Sequence, residues 1–324
     1  MDAMILAAGF GSRLNPLTKR LPKPLVACAG RRLIDWSFDL ADQIKADRVV
    51  INAHHLGEEL QRRVAHRYGE RMEIVWIFED EIRGTGGGVK GAQALFEDTL
   101  LVANADILIE LDAMDMYGEH IASGAAATMA VHPAGDAEGY GVVRRDDAGR
   151  IRDLRGGVTR LEHGLTPSPV PGESLVPGVS PAAKGAPYHF RGIHLLEPGF
   201  VAAIPEDNFS CIVGQTYIPQ IHAGAFVQGF ETHGRWADAG TPERLFAAHE
   251  LFWNAASPVV EAGADIGLKT ELLGRTHVAA GAQVGHSCIL EDVLVQPDAV
   301  VLPRTELKRA IVYGRRGQFW QIDG

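Results

Sequence analysis

The chain has 324 residues, 46% hydrophobic and 22% charged, enough to bury a large core as one major domain with a smaller companion. Its formal net charge of -10 speaks against a nucleic-acid or anionic-membrane surface, because those partners reward clustered Lys and Arg. No apolar stretch has the length of a bilayer span, and Cys28, Cys211 and Cys288 lie far apart without metal-ligand or disulfide spacing, so a cytoplasmic protein is expected.

Over the first 130 or so residues, short apolar runs alternate with longer amphipathic stretches. Residues 4–8, 48–52, 73–78, 99–103 and 126–131 read as strands, while 32–46, 56–68 and 89–96 carry apolar positions at helical spacing. That alternation predicts an α/β fold, a Rossmann-like and mostly parallel sheet with helices on both faces and ligands beyond the carboxyl ends of the strands. Residues 156–187 are dense in Pro, Gly and Ser without a usable period, which predicts a long loop or flap. Residues 188–196 read as another strand, and 241–253 as a helix with a Thr cap and Pro at its first position. Ile266, Leu272, Val278, Val284 and Leu290 then recur every six residues, and Val295, Val301 and Leu307 continue the step after a slip of one. Such a period predicts a short C-terminal β-helix of hexapeptide repeats. The expected division is a catalytic domain over 1–255 and a tail over 256–324, whose stacked coils are expected to serve homo-oligomer contacts.

The stretch "LAAGFGSRLNPLTKRLPKPL" begins as a dinucleotide clamp would, with Gly9-x-Gly11 after an apolar run. The third glycine of that fingerprint is missing, Leu14 standing near its place, and the Gly-Lys-Ser/Thr ending of an ATPase loop is absent as well. The remainder of the stretch is basic and braced by Pro16, Pro22 and Pro24, so that Arg13 and Lys23 are held near one place, a site for a polyphosphate. Asp106 at a predicted strand end and Asp238 ahead of a helix start are placed where a carboxylate, the type of hard-oxygen ligand that magnesium takes, could reach the mouth of the sheet. Gly84-Thr85-Gly86-Gly87-Gly88 opens a helix with bare backbone, against which a base or ribose can lie. His54 and His55 end the second strand without a third ligand at metal spacing, so they read as a polar strand end beside a nucleotide.

This ordered segment resembles the signature of the sugar-1-phosphate nucleotidyltransferases, which join a nucleoside triphosphate to a sugar 1-phosphate and release pyrophosphate. "EDEIRGTGGGVKGA", "LVANADILIE", "FRGIHLLEP" and "WADAGTPERL" are similar to the family's base-binding, first metal-binding, sugar-side and second metal-binding segments. The core is similar to N-acetylmuramate-1-phosphate uridylyltransferases, and the added tail to mannose-1-phosphate guanylyltransferases. The resemblance implies UTP or GTP as donor and a sugar 1-phosphate like one of those two as acceptor. It implies that Arg13 grips the triphosphate and leaving pyrophosphate, and that Lys23 bridges the α-phosphate and the sugar phosphate. It places Leu6, Ala7, Ala8, Gly9, Gly11, Ser12, His54, Gly86 and Gly87 on the nucleotide, Asn104, Gly141 and Gly192 on the sugar, and Asp106 and Asp238 on Mg2+. Many relatives carry a Glu-Lys-Pro whose lysine holds the sugar phosphate; this chain has "IRDLRGGV" there, with Arg152 or Arg155 as substitutes. Two other readings share part of the motif: a cytidylyltransferase acting on a phosphorylated alcohol such as phosphocholine, and a regulatory subunit that binds NDP-sugar without making it.

Overall fold

The computed structural model describes residues 1–133, 141–155 and 187–323, so the flap expected at 156–187 lies outside the described residues except for its last position. At the centre is a nine-stranded sheet. Glu73–Phe78, Arg48–Ala53, Asp2–Leu6 and Leu100–Asn104 run parallel in that spatial order. Tyr188–Leu196 is antiparallel to the last of these, pairing Ile193 with Ala103, and Ala127–Pro133 and Val227–Glu231 continue beyond it. The hairpin of Val142–Arg145 and Ile151–Arg155 joins the long strand through Tyr188 and Val143.

Both faces of the parallel strands are covered, which is why their apolar runs are continuous. Ala3, Ile5, Val49, Ile51, Leu101 and Ala103 enter one core with the helices Leu33–Gln43, Gly57–Tyr68 and Pro242–Phe252. Met4, Val50, Leu100 and Val102 enter the other with the helix Gly84–Gly91 and the segment around Phe200. The alternation of neighbours between two cores is the two-residue period of a strand.

Two elements differ from the sequence expectation. The first strand ends at Leu6 and not at residue 8, because the Ala7 N–H leaves the ladder and donates to Asn52 Oδ1 at 2.9 Å. The helix expected at 89–96 instead spans Gly84–Gly91, built largely of glycine. Intrinsic propensity argues against such a helix, but a tertiary contact overrides it: Ser210 O accepts from the N–H groups of both Gly86 (2.8 Å) and Gly87 (3.2 Å). A Cβ on Gly86 would lie 2.7 Å from Ser210 Oγ, so this approach excludes larger residues.

The tail strands fit a β-helix. Val259 pairs in parallel with His277, Asp265 with Gln283, and Glu271 with Ile289, an offset of eighteen residues. In the next coil the offset becomes seventeen, His277 pairing with Leu294 and Gln283 with Val300, because the slip between Leu290 and Val295 removes one residue. Val278, Val284, Leu290, Val295 and Val301 are buried inside the coils.

One coil face is taken by the chain's own body. Ala279, Leu294 and Ile311 belong to the same core as the sheet, which therefore continues across the sequence boundary at 255/256. Buried Gln296 donates to Ala27 O (3.1 Å) and accepts from Ala27 N–H (2.8 Å), completing an edge that packing would otherwise leave unpaired. Arg63 pairs with Asp298 at 2.5 Å and Arg309 with Glu250 at 2.6 Å. Fully buried His249 accepts from Ala29 N–H through Nδ1 (3.0 Å), which makes Nε2 the protonated nitrogen donating to Arg275 O (2.6 Å).

Both ring nitrogens of His249 are thus used in the neutral form, and burial pushes its pKa down to about 4. In the unfolded chain the ring takes up a proton near its ordinary value of 6.5, whereas the folded chain resists until about 4. Stability is therefore full above pH 6.5 and is lost as pH falls towards 4, by up to about 3 kcal/mol from this group. Urea midpoints measured from pH 7.5 to 4.5 are expected to fall with acidification, and His249→Gln, which retains an acceptor and a donor but no titration, is expected to flatten that slope.

Candidate functional site

The site begins with the loop between the first strand and the helix Leu33–Gln43. Leu14, Leu17, Leu21 and Leu25 are buried anchors along three short 3-10 turns that leave Arg13, Lys19 and Arg20 outward and turn Lys23 inward. Gly11 adopts φ 62°, the left-handed region, and a Cβ there would meet Lys23 Cβ at 3.0 Å; Thr18 Oγ1 donates to Gly11 O at 2.8 Å. Gly11 and Ser12 thus form the bend against which the Lys23 stem lies, while Ala7 and Ala8 are buried and Gly9 faces open space. Of the four basic residues in this loop, Arg13, Lys19 and Arg20 are exposed and Lys23 is largely covered.

Lys23 and Arg13 converge on the end of the strand Leu100–Asn104. The Lys23 ammonium forms an ion pair with Asp106 Oδ2, the lysine side chain being only 10% exposed. Burial pushes the Asp106 carboxyl up, but the Lys23 ammonium, with the Arg13 guanidinium as a further charge, outweighs it and holds the group below the ordinary carboxylate range. Ala105 N–H donates to Leu6 O (3.1 Å), which fixes the Asp106 turn to the tip of the first strand.

The strand Trp236–Asp238 brings in the second carboxylate. It runs antiparallel to Ile107–Ile109 with Asp238 opposite Ile107, and Ala239 N–H donates to Asp106 O at 3.1 Å. Asp238 Oδ2 accepts from Arg244 at 2.8 Å, whereas Oδ1 is buried with no hydrogen-bond partner among the described residues. A Cβ on Gly240 would lie 2.8 to 3.1 Å from the Arg13 guanidinium, so that guanidinium rests directly on the Gly240 backbone. Among the described residues no group of three or more His, Cys, Asp or Glu is arranged for a metal. Two carboxylates are enough for a hard cation whose shell phosphates and water complete, so Asp106 and Asp238, with the orphaned Asp238 oxygen among their donors, are the residues that could hold one.

Behind this cluster lies a buried polar network. Asn52 receives the Ala7 N–H and donates to Glu79 Oε1 at 2.7 Å, while Glu79 Oε2 accepts from Arg83 N–H at 2.9 Å. His54 bonds the Glu79 carbonyl through Nδ1 at 2.8 Å and meets the Phe10 ring edge-on. In the glycine helix, Gly88 faces this network: a Cβ there would lie 2.6 Å from Asn52 Nδ2 and 3.4 Å from Leu6 Cδ2. Gly86 and Gly87 instead give their N–H groups to Ser210 O.

The third wall is a bulge in the long strand. The register of Tyr188–Leu196 against Ala127–Pro133 shifts between Phe190 and His194, and Gly192 inside the shift has φ 79°. A Cβ on Gly192 would lie 3.0 Å from Asn104 Nδ2, so these two residues are brought together. Trp236 donates from Nε1 to Arg191 O at 3.0 Å and lies under the Arg191 guanidinium. Gly141 leads into the hairpin strand Val142–Arg145. Arg152 is engaged by Asp146 within that hairpin at 2.7 Å, and the side chain of Arg155 lies outside the described residues.

Sequence reasoning passed over Asn52, Gly240 and Arg244, and named Gly88 only as part of the glycine run. The signal for Asn52 was present as a polar residue near the end of the otherwise apolar run Arg48–Ala53. The other three depend on which residue faces which, and only the packed structure supplies that.

The family described as Nucleotidyl transferase matches residues 2–155. The chain is 30% identical over 260 residues to an N-acetylmuramate alpha-1-phosphate uridylyltransferase of Caulobacter vibrioides, covering 76% of this chain and 94% of that one. It is 24% identical to a mannose-1-phosphate guanylyltransferase of Mycobacterium tuberculosis, over 91% of this chain and 79% of the relative. A UTP-glucose-1-phosphate uridylyltransferase of Synechocystis sp. is 28% identical over 74% of this chain, which spans 60% of that relative's length. The crystal structure of HddC from Yersinia pseudotuberculosis superposes with a TM-score of 0.58 at 22% identity, covering 78% of this chain and 99% of that one, and so shares the fold. Among the described residues no helix is long and apolar enough to cross a membrane. Given this match along the chain and the charged cluster at the strand ends, the protein belongs to the sugar-1-phosphate nucleotidyltransferase family.

Proposed function

We propose that the chain transfers a nucleotidyl group from UTP or GTP to a sugar 1-phosphate like mannose 1-phosphate or N-acetylmuramate 1-phosphate. The observation that carries this reading is the meeting of Arg13, Lys23, Asp106 and Asp238 at one strand end, with Lys23 paired to Asp106 and Arg13 seated on Gly240. A phosphate oxygen of the sugar bonds to the α-phosphorus as the bond to the bridging oxygen breaks, and pyrophosphate leaves with the electron pair. The acceptor is already an anion, so no general base is needed. Lys23 exchanges its carboxylate partner for phosphate oxygens at the reacting phosphorus, and Arg13 takes the leaving pyrophosphate. Asp106 and Asp238 would hold Mg2+, which supplies charge neutralisation on the phosphate oxygens when bound.

The nucleotide is assigned to the tip of the first strand, on Leu6, Ala7, Ala8, Gly9, Gly11 and Ser12, with His54, Gly86 and Gly87 beside it. The sugar is assigned to Asn104, Gly192 and Gly141. The similar enzymes are all named for sugar 1-phosphates, which supports a sugar phosphate over phosphocholine. A regulatory subunit is expected to have lost some of the four charged groups, and all are present and assembled.

Pyrophosphate release from UTP and GTP against a panel of sugar 1-phosphates and phosphocholine tests the reading. Lys23→Ala is expected to lower kcat by roughly a hundredfold or more, the scale of one lost transition-state contact; turnover that survives it, or that occurs only with phosphocholine, would sink the proposal. Gly240→Ala forces the Arg13 guanidinium off its seat, and a displacement of about 1 Å at a reacting group costs up to about a hundredfold. The expected result is a fall in kcat of at least tenfold with the melting temperature nearly unchanged, as checked by paired kinetic and calorimetric measurements.

A further inference from the structure

Asp238 differs from Asp106 in what holds it. The Asp106 carboxylate meets a lysine that is itself assigned to phosphate, whereas Asp238 Oδ2 is bound by Arg244, a residue with no part in nucleotidyl transfer itself. Arg244 is the third residue of the helix Pro242–Phe252, and its backbone N–H donates to the capping Thr241 Oγ1 at 3.3 Å. The cap fixes where the Arg244 side chain starts, and its guanidinium reaches back six residues to Asp238 at 2.8 Å. With Oδ2 so engaged, Oδ1 is left buried and without a hydrogen-bond partner among the described residues. A buried carboxylate oxygen without a donor is costly, and it persists where a ligand completes it.

We infer that Arg244 is a positioning residue: it fixes the rotation of the Asp238 carboxylate so that Oδ1 is presented to a divalent cation. The inference rests on the nucleotidyl-transfer reading and its cation site. A positive neighbour also repels a cation, so two effects compete. Arg244 is 39% exposed and its charge is screened by water, whereas Asp238 is only 15% exposed and depends on its bond for orientation. Orientation therefore outweighs repulsion, as it does where outer-shell partners set the affinity of a ligating carboxylate.

The test uses Mn2+ titrated into the full chain and read by water-proton relaxation, with the Mg2+ concentration for half-maximal turnover as a second readout. Arg244→Met is expected to weaken Mn2+ binding about tenfold and to raise the Mg2+ requirement in parallel. Arg244→Gln, which keeps an N–H donor without the charge, is expected to recover most of both. Unchanged or tighter Mn2+ binding in Arg244→Met, while Asp238→Asn abolishes it, overturns the role of Arg244 alone. Unchanged Mn2+ binding in Asp238→Asn overturns the cation site as well. Melting temperatures of all three variants without metal show whether each is folded.

Discussion

The ion pair between Lys23 and Asp106 is the constraint on which the arrangement turns. It ties a loop outside the central sheet to the end of a central strand, and it does so with two charges that burial would otherwise penalise. Neither charge tolerates removal of the other, so the Lys23 stem must arrive at one place. That requirement propagates backwards along the chain. Gly11 must lack a Cβ where the stem passes, Thr18 must hold the Gly11 carbonyl, and four leucines must anchor the intervening turns. The loop is anchored by its buried apolar residues, and that anchoring directs the Lys23 stem to the strand end.

The same logic runs through the rest of the site, where glycines mark positions at which something must come close. Gly240 lies under Arg13, Gly192 beside Asn104, and Gly88 beside Asn52 and Leu6. In each case the neighbour is a polar side chain or a strand-end residue of the cluster, so the missing Cβ is what allows the close approach. Gly86 and Gly87 make a further contact, their N–H groups donating to Ser210 O. The glycine helix is accordingly a joint between the sheet and the 208–212 segment as well as a wall of the site.

Much of this was legible in the sequence. The four parallel strands were readable because two-sided burial gives unbroken apolar runs, and the tail was readable as parallel strands that fit a β-helix. The residues brought together by Lys23 and Asp106 were readable because charge, glycine and proline succeed one another in order. The helix at Gly84–Gly91 was not, since its cause is a carbonyl more than a hundred residues away. Asn52, Gly240 and Arg244 were hidden for a related reason: each matters through a partner distant in the chain or through the direction of a side chain.

The tail shows how such distant partners act together. The body supplies partners for one face of the coil: Ala27 for Gln296, His249 for the Arg275 carbonyl, Arg63 for Asp298. Ala27 and Ala29 come directly after the turn that carries Lys23 and Leu25. The strip that receives the coil is therefore continuous with the loop that carries the cations. Docking the tail restrains the far end of that loop, as the ion pair with Asp106 restrains its middle and the Ala7 bond to Asn52 restrains its start. A loop held at three points along its length, each by a different element, keeps its cations in register without being part of the central sheet.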